Sequence, residues 1–151
     1  MRSAKPIGRV PGLDYGVLDE LLGYSLRRAQ VAMFAAFHEA TRGENITPPR
    51  FTALVVIGSN PGMSQTTLGN VLGIARSGAM LLTDWFEVEG LVERRRRPND
   101  GRAWGLHLTP QGERLVARLR KRVLELDLKR TRSLSAEERR ELQRLLAKLA
   151  G

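Results

Sequence analysis

Apolar residues recur every three or four positions along most of this chain, the period of an amphipathic helix. Leu18, Leu22, Ser25 or Leu26, Ala29, Ala32 or Met33, Ala36 and Ala40 form the first stripe. It predicts a helix from Val17 or Leu18 to a stop at Arg42-Gly43. Thr47-Pro48 reads as the cap and first residue of a second helix, with Phe51, Leu54, Val55 and Ile57 or Gly58 on its apolar face. Asn60-Pro61-Gly62 breaks it. Ser64 is the next cap, opening a short helix from Gln65 to Leu72 that Gly73 ends by a left-handed backbone. After Ile74-Ala75-Arg76, a further helix is expected from about Ser77 to Glu89, with Ala79, Leu82 and Phe86 inward and Gly90 as its stop. From Thr109-Pro110 a long helix carries Leu115, Leu119, Val123 and Leu126 on one stripe. Ser135-Ala136-Glu137-Glu138 has the capping-box form and opens a last helix with Leu142, Leu145, Leu146 and Leu149.

The helical period lapses between Val92 and Thr109. Four consecutive arginines, Arg94, Arg95, Arg96 and Arg97, run into Pro98-Asn99-Asp100-Gly101, and a second short apolar run follows. This reads as a β-hairpin with a basic tip. A hairpin folds without such a charge run, whereas a polyanion lying against it gives the charge a purpose. The whole chain of 151 residues carries a net charge of +9, which points to nucleic acid or an anionic surface as partner. Sparse aromatics, 5%, favour helices over a β-sandwich. There is no cysteine, so disulfides, thiolate metal sites and thiol redox sensing are excluded. His38 and His107 each lack a carboxylate three or four residues away, and neither a metal nor a cofactor is expected. No apolar run reaches the ~18 residues of a membrane span, and no signal-peptide core is present, so the expected location is cytoplasmic.

Two short helices joined by a Gly-containing turn and followed by a basic hairpin make a winged helix-turn-helix. The expected fold is mainly α with a small β-hairpin wing, plus long N- and C-terminal dimerisation helices. Residues 1–16 form an N-terminal arm, 17–46 and 110–151 a helical dimerisation region, and 47–109 the DNA-binding lobe. The second helix of the pair fits the major groove, and Arg76, Ser77, Gly78, Met80 and Leu81 are its groove-facing candidates. Ser64, Gln65 and Thr66, at the start of the first helix, can bind phosphate. The hairpin tip can place an arginine in the minor groove. Alternation along a strand points two of the four consecutive arginines to each face, so not all of them reach DNA. Asp100 is expected to fix the wing turn through backbone amides.

The chain resembles the MarR family of bacterial transcriptional regulators. The resemblance is carried by Asn60-Pro61-Gly62-Met63-Ser64-Gln65, Leu72-Gly73-Ile74, Gly90-Leu91-Val92-Glu93-Arg94, Asn99-Asp100-Gly101-Arg102 and Leu108-Thr109-Pro110-Gln111-Gly112. It spans roughly residues 20 to 149. It implies a winged-helix homodimer on pseudo-palindromic operators, released when a small aromatic or anionic molecule enters a cleft between the DNA-binding lobe and the dimerisation helices. It also implies that Asp84 pairs with Arg102 to hold wing and helix in register, which makes Arg102 partly structural. Two departures stand out: Ala75, where relatives often carry a polar or acidic cap, and Leu81, where they often carry arginine. They leave base reading to Arg76, Ser77 and apolar contact with thymine methyls.

Several residues admit a plainer reading. The arginine run can be a solvated edge strand. Trp104 and Trp85 are expected to pack on the helices more than on nucleic acid. Tyr24, Met33, Phe34, Phe37, His38, Phe51 and Leu54, with Arg28 and Arg50, form an effector-pocket candidate or a simple core between the first two long helices. The leading function is a ligand-responsive repressor with operator DNA, a small-molecule effector and a second copy as partners, and no membrane. The effector class is an aromatic acid or its coenzyme A thioester. The alternative is an architectural, nucleoid-type DNA binder without effector, and a winged helix turned to protein interaction is a further one. An enzyme is not expected: there is no nucleophile–base pairing, metal cluster or phosphate-cradling Gly-rich loop.

Overall fold

The computed structural model describes residues 8–97 and 100–151, with side chains at all of these except 97 and 100–103. The chain divides into two compact units, Met1–Arg42 with Arg122–Gly151, and Gly43–Lys121.

The second unit contains α2 (Pro48–Ser59), α3 (Gln65–Leu72), α4 (Arg76–Val88), β1 (Val92–Arg97), β2 (Asp100–Leu108) and the first half of α5 (Pro110–Arg130). Thr47 holds the cap position of α2 in extended backbone, yet its hydroxyl makes no capping bond. Pro49 at the second helical position removes one of the N–H groups such a cap would serve. Ser64 does cap α3, accepting from the Thr67 N–H at 3.0 Å. Gly73 then closes α3 at φ +63°, a conformation that costs other residues a Cβ clash. Phe86, Leu54, Ile57, Leu68, Leu106 and Leu119 are its largest buried apolar side chains. Thr83 is buried among them with its hydroxyl satisfied by the Ala79 carbonyl at 2.7 Å.

β1 and β2 pair antiparallel, Val92 opposite Leu108, Arg94 opposite Leu106 and Arg96 opposite Trp104, with an irregularity between Arg96 and Arg97. The turn before α3 adds a short third rung. Gly62 N–H donates to the Leu106 carbonyl at 2.8 Å, and Leu106 N–H to the Met63 carbonyl at 2.9 Å. β2 lies so close to this turn that a Cβ on Gly105 would sit 2.7 Å from the Gly62 Cα. The junction of hairpin and α5 is equally tight. The Thr109 hydroxyl donates to the Gly90 carbonyl at 2.6 Å and accepts from the Gly112 N–H at 3.0 Å. Thr109 N–H bonds the Leu91 carbonyl at 3.0 Å.

The first unit holds a 3-10 turn (Gly16–Asp19), α1 (Leu22–Ala40), the second half of α5 and α6 (Ala136–Ala150). The helix expected from Val17 or Leu18 therefore starts later, because Leu21 takes an extended backbone between the turn and α1. Of the N-terminal arm, residues 1–7 lie outside the described residues, and the rest folds back on itself. Val10 N–H donates to the Tyr15 hydroxyl at 2.9 Å, and Arg9 pairs with Asp19 while lying 4.9 Å from the centre of the Tyr15 ring. The capping box of α6 is complete: Glu138 N–H donates to Ser135 Oγ at 3.1 Å and Ser135 N–H to Glu138 Oε2 at 2.7 Å. α6 nevertheless buries none of its residues, and Leu142, Leu145, Leu146 and Leu149 remain 40% to 57% exposed.

A Cβ on Gly112 would run into the Leu91 carbonyl, a backbone atom that cannot rotate away. Gly112→Ala is therefore expected to cost about 3 kcal/mol, the upper end for overpacking, read as a lower urea midpoint. An unchanged midpoint would show that the Gly90–Gly112 junction yields freely.

Candidate nucleic-acid interface

α4 has two unlike faces. Ala79, Thr83 and Phe86 are buried, whereas Arg76, Ser77, Met80, Leu81, Asp84 and Val88 are exposed at helical spacing. Leu81 is 68% exposed and Met80 48%, so the outward face of α4 carries two large apolar side chains beside Arg76 and Ser77. Gly78 departs from expectation: it is half-buried, and a Cβ there would point at the Ile74 side chain 3.7 Å away rather than into open space. Ala75 occupies the cap position of α4 and offers no side-chain bond, so the first amides of α4 have no side-chain cap there.

The wing meets α4 through Arg94. This guanidinium pairs with Asp84 at 2.8 Å and with Glu87, and reaches Gln65 Oε1 on α3 at 3.4 Å. It is only 26% exposed. Arg94 thus ties β1 to α4 and α3, and its charge is already compensated by two carboxylates. That revises its expected place among the DNA contacts. The expected partner of Asp84, Arg102, lies outside the described side chains, as do Arg97 and Asp100. Arg95, on the opposite face of the strand, is 57% exposed and bonds Glu93 through Nε at 3.0 Å. Arg96 lies 4.9 Å from the centre of the Trp104 ring, its cross-strand partner. Trp104, expected against the helices, is instead half exposed beneath that arginine.

At the start of α3, Ser64 uses its oxygen as the helix cap and Gln65 meets Arg94, which leaves Thr66 as the exposed member of the expected phosphate-binding trio. Trp85 is covered by Arg50, whose guanidinium sits 3.6 Å from the ring centre and donates to the Asn45 carbonyl at 2.9 Å. Trp85 is thereby a packing residue.

The effector candidates fall in both units. Tyr24, Arg28, Met33, Phe34, Phe37 and His38 lie on α1, and Arg50, Phe51 and Leu54 on α2. Arg28 lies 5.9 Å from the centre of the Tyr24 ring, and the Phe37 and His38 rings meet edge-on at 6.2 Å. Leu54 is fully buried and belongs to the core of its unit, the plainer of the two readings. The first unit holds a groove of about 890 Å³ lined by Met33 and Leu26 of α1, Leu142 and Leu146 of α6, and Arg27, Arg130 and Arg139. Only Met33 of the expected pocket residues borders it. Arg130 and Arg139 were missed because nothing local in the sequence marks an arginine that distant helices bring beside α1.

These elements define a winged helix-turn-helix, the class of DNA-binding regulators. A model of the MarR family matches residues 44–103. A candidate transcriptional regulatory protein for the hcr operon of Thauera aromatica is 36% identical over 91% of this chain and 83% of its own length. The repressor CouR, solved on a 23-mer DNA duplex, superposes with a TM-score of 0.85 at 36% identity, covering 92% of this chain and 99% of that one. CouR bound to p-coumaroyl-CoA gives 0.81 at 35% identity, covering 91% and 97%. The regulator PcaV of Streptomyces coelicolor, in complex with its natural ligand, gives 0.77 at 28% identity over 93% and 97%. The chain belongs to the MarR family and is a DNA-binding transcriptional regulator of that type. Among the described residues, no helix is long and apolar enough to cross a membrane.

Arg94 and Arg95 should separate cleanly in a duplex titration across salt. Arg95→Ala removes one exposed cation and should lower the log–log salt slope by about 0.9. Arg94→Ala should weaken binding with a smaller change of slope, because it acts chiefly by loosening the packing of β1 on α4 and α3. A slope change at Arg94 as large as that at Arg95 would make it a phosphate contact after all.

Proposed function

We propose that this protein is a ligand-responsive repressor that binds a pseudo-palindromic operator as a homodimer and leaves it when a small aromatic or anionic effector binds. The observation that carries the reading is the exposed face of α4 beside a basic wing whose base is fastened to α4 and α3. CouR on DNA and CouR with p-coumaroyl-CoA support both halves of it, operator binding and an acyl thioester effector. An aromatic acid or its coenzyme A thioester suits a site with aromatic rings and a cation, such as Tyr24, Phe34 and Phe37 of α1 with Arg28. Residues 17–46 and 110–151 are the proposed dimerisation region, and 47–109 the DNA-binding lobe. The uncovered leucines of α6 support a second copy: each such side chain gains roughly 1.5–3 kcal/mol when withdrawn from water. An architectural binder without effector is the second reading, favoured by the small number of hydrogen-bonding side chains on the exposed face of α4.

Duplexes selected from a random pool, compared with scrambled ones at fixed salt, distinguish the two. At least a hundredfold preference is expected, and equal affinities would favour the architectural reading. p-Coumaroyl-CoA and related aromatic thioesters should then raise the melting temperature and release the selected duplex. A thioester that stabilises the protein but leaves the duplex bound would argue against an induction switch. Leu145→Glu with Leu149→Glu should give a monomer by sedimentation and lower operator affinity at least tenfold.

A further inference from the structure

We infer that the operator is read largely through thymine methyl groups, packed against Met80 and Leu81. This deepens the operator-binding reading above and rests on it. A recognition helix contacts base edges with the residues of its N-terminal half. On α4 those exposed residues are Arg76, Ser77, Met80 and Leu81. Only the first two carry hydrogen-bonding groups. Asp84, one turn further on, would be the natural acceptor for a cytosine amino group, but its carboxylate is held by Arg94 at 2.8 Å. Gly78 contributes no side chain and is turned towards Ile74.

What remains at the centre of the face is a thioether and an isobutyl group, exposed at 48% and 68%. Neither can satisfy the amino and carbonyl groups that a G·C pair presents in the major groove. Set against such a pair, they would strip water from polar edges and replace it with nothing. The thymine methyl is the one apolar feature of the major-groove edge. The complementary half-site therefore holds thymine opposite Met80 and Leu81, on either strand, within a few base pairs of the guanine that suits Arg76.

Uracil tests this directly, because it differs from thymine only by the methyl group. The full-length protein is titrated with a selected duplex in which each thymine of one half-site is replaced singly by uracil. At one or two positions the substitution should weaken binding about fourfold, the factor equivalent to ~0.8 kcal/mol for one buried CH₂-sized group. Leu81→Ala or Met80→Ala should abolish the uracil penalty at the matching position while leaving the others. Both side chains are exposed, so neither variant disturbs the core. Selective binding with no uracil penalty anywhere would overturn the inference alone. So would a penalty that persists unchanged in both variants. Loss of all preference for the selected duplex over scrambled DNA would overturn the operator reading as well, and is distinguishable on the same titration.

Discussion

The unit Gly43–Lys121 depends on one close backbone contact, the seating of β2 on the turn that precedes α3. Gly62 and Met63 exchange hydrogen bonds with Leu106, and Gly105 lets the two chains meet without a side chain between them. The hairpin is thereby joined to the helix-turn-helix by main-chain bonds close to its base. Such bonds are insensitive to salt and specify a register, which a side-chain ion pair on a mobile strand would not. Because the geometry is fixed this way, the outward arginines are not needed to hold the wing in place.

Arg94 illustrates how position on a strand decides what a charge does. It shares its face with Val92 and with the cross-strand partner Leu106, both buried. Its guanidinium emerges beside Asp84 and Glu87. Two carboxylates on a helix meant to approach phosphates would repel the duplex, and the repulsion is strongest where water is displaced. Arg94 offsets one of the two charges and fastens the wing by the same contact. By that contact Arg94 lowers the net negative charge that α4 carries. Arg95, on the opposite face of the strand, is the more exposed of the two.

Helices with strong caps and regular stripes were legible in the chain, because caps and period are local properties. Ser64, Gly73, Ser135 and the Thr109-Pro110 start fell where the sequence put them. The start of α1 was not legible, since apolar spacing cannot distinguish a 3-10 turn from the first turn of an α-helix. At the site, the exposed residues of α4 followed from its period, but pairings did not. The resemblance gave Asp84 the partner Arg102, whose side chain lies outside the described ones; among the described residues Asp84 pairs with Arg94, nearer the hairpin base. Trp104 looked like a packing residue by size, yet strand register sets it opposite Arg96 and near the tip. The arginines bordering the groove of the first unit depend on helices far apart in sequence, which no local pattern encodes.

A weakly polar recognition face has a consequence for how much one subunit can discriminate. A methyl contact contributes a factor of roughly four. Two such contacts per half-site, in two half-sites, multiply to roughly 250. Specific binding generally exceeds non-specific binding by about 10³ to 10⁷. Methyl reading alone thus falls short, and guanidinium–guanine pairs of about 1–3 kcal/mol, one in each half-site, would raise the product to roughly 10⁴ to 10⁷. A single copy, with Arg76 and two apolar side chains, would reach roughly 10² to 10³ and be lost among competing genomic sites. On the proposed methyl reading, a second copy that covers the leucines of α6 would also duplicate the sparse reading face of α4 and square its selectivity.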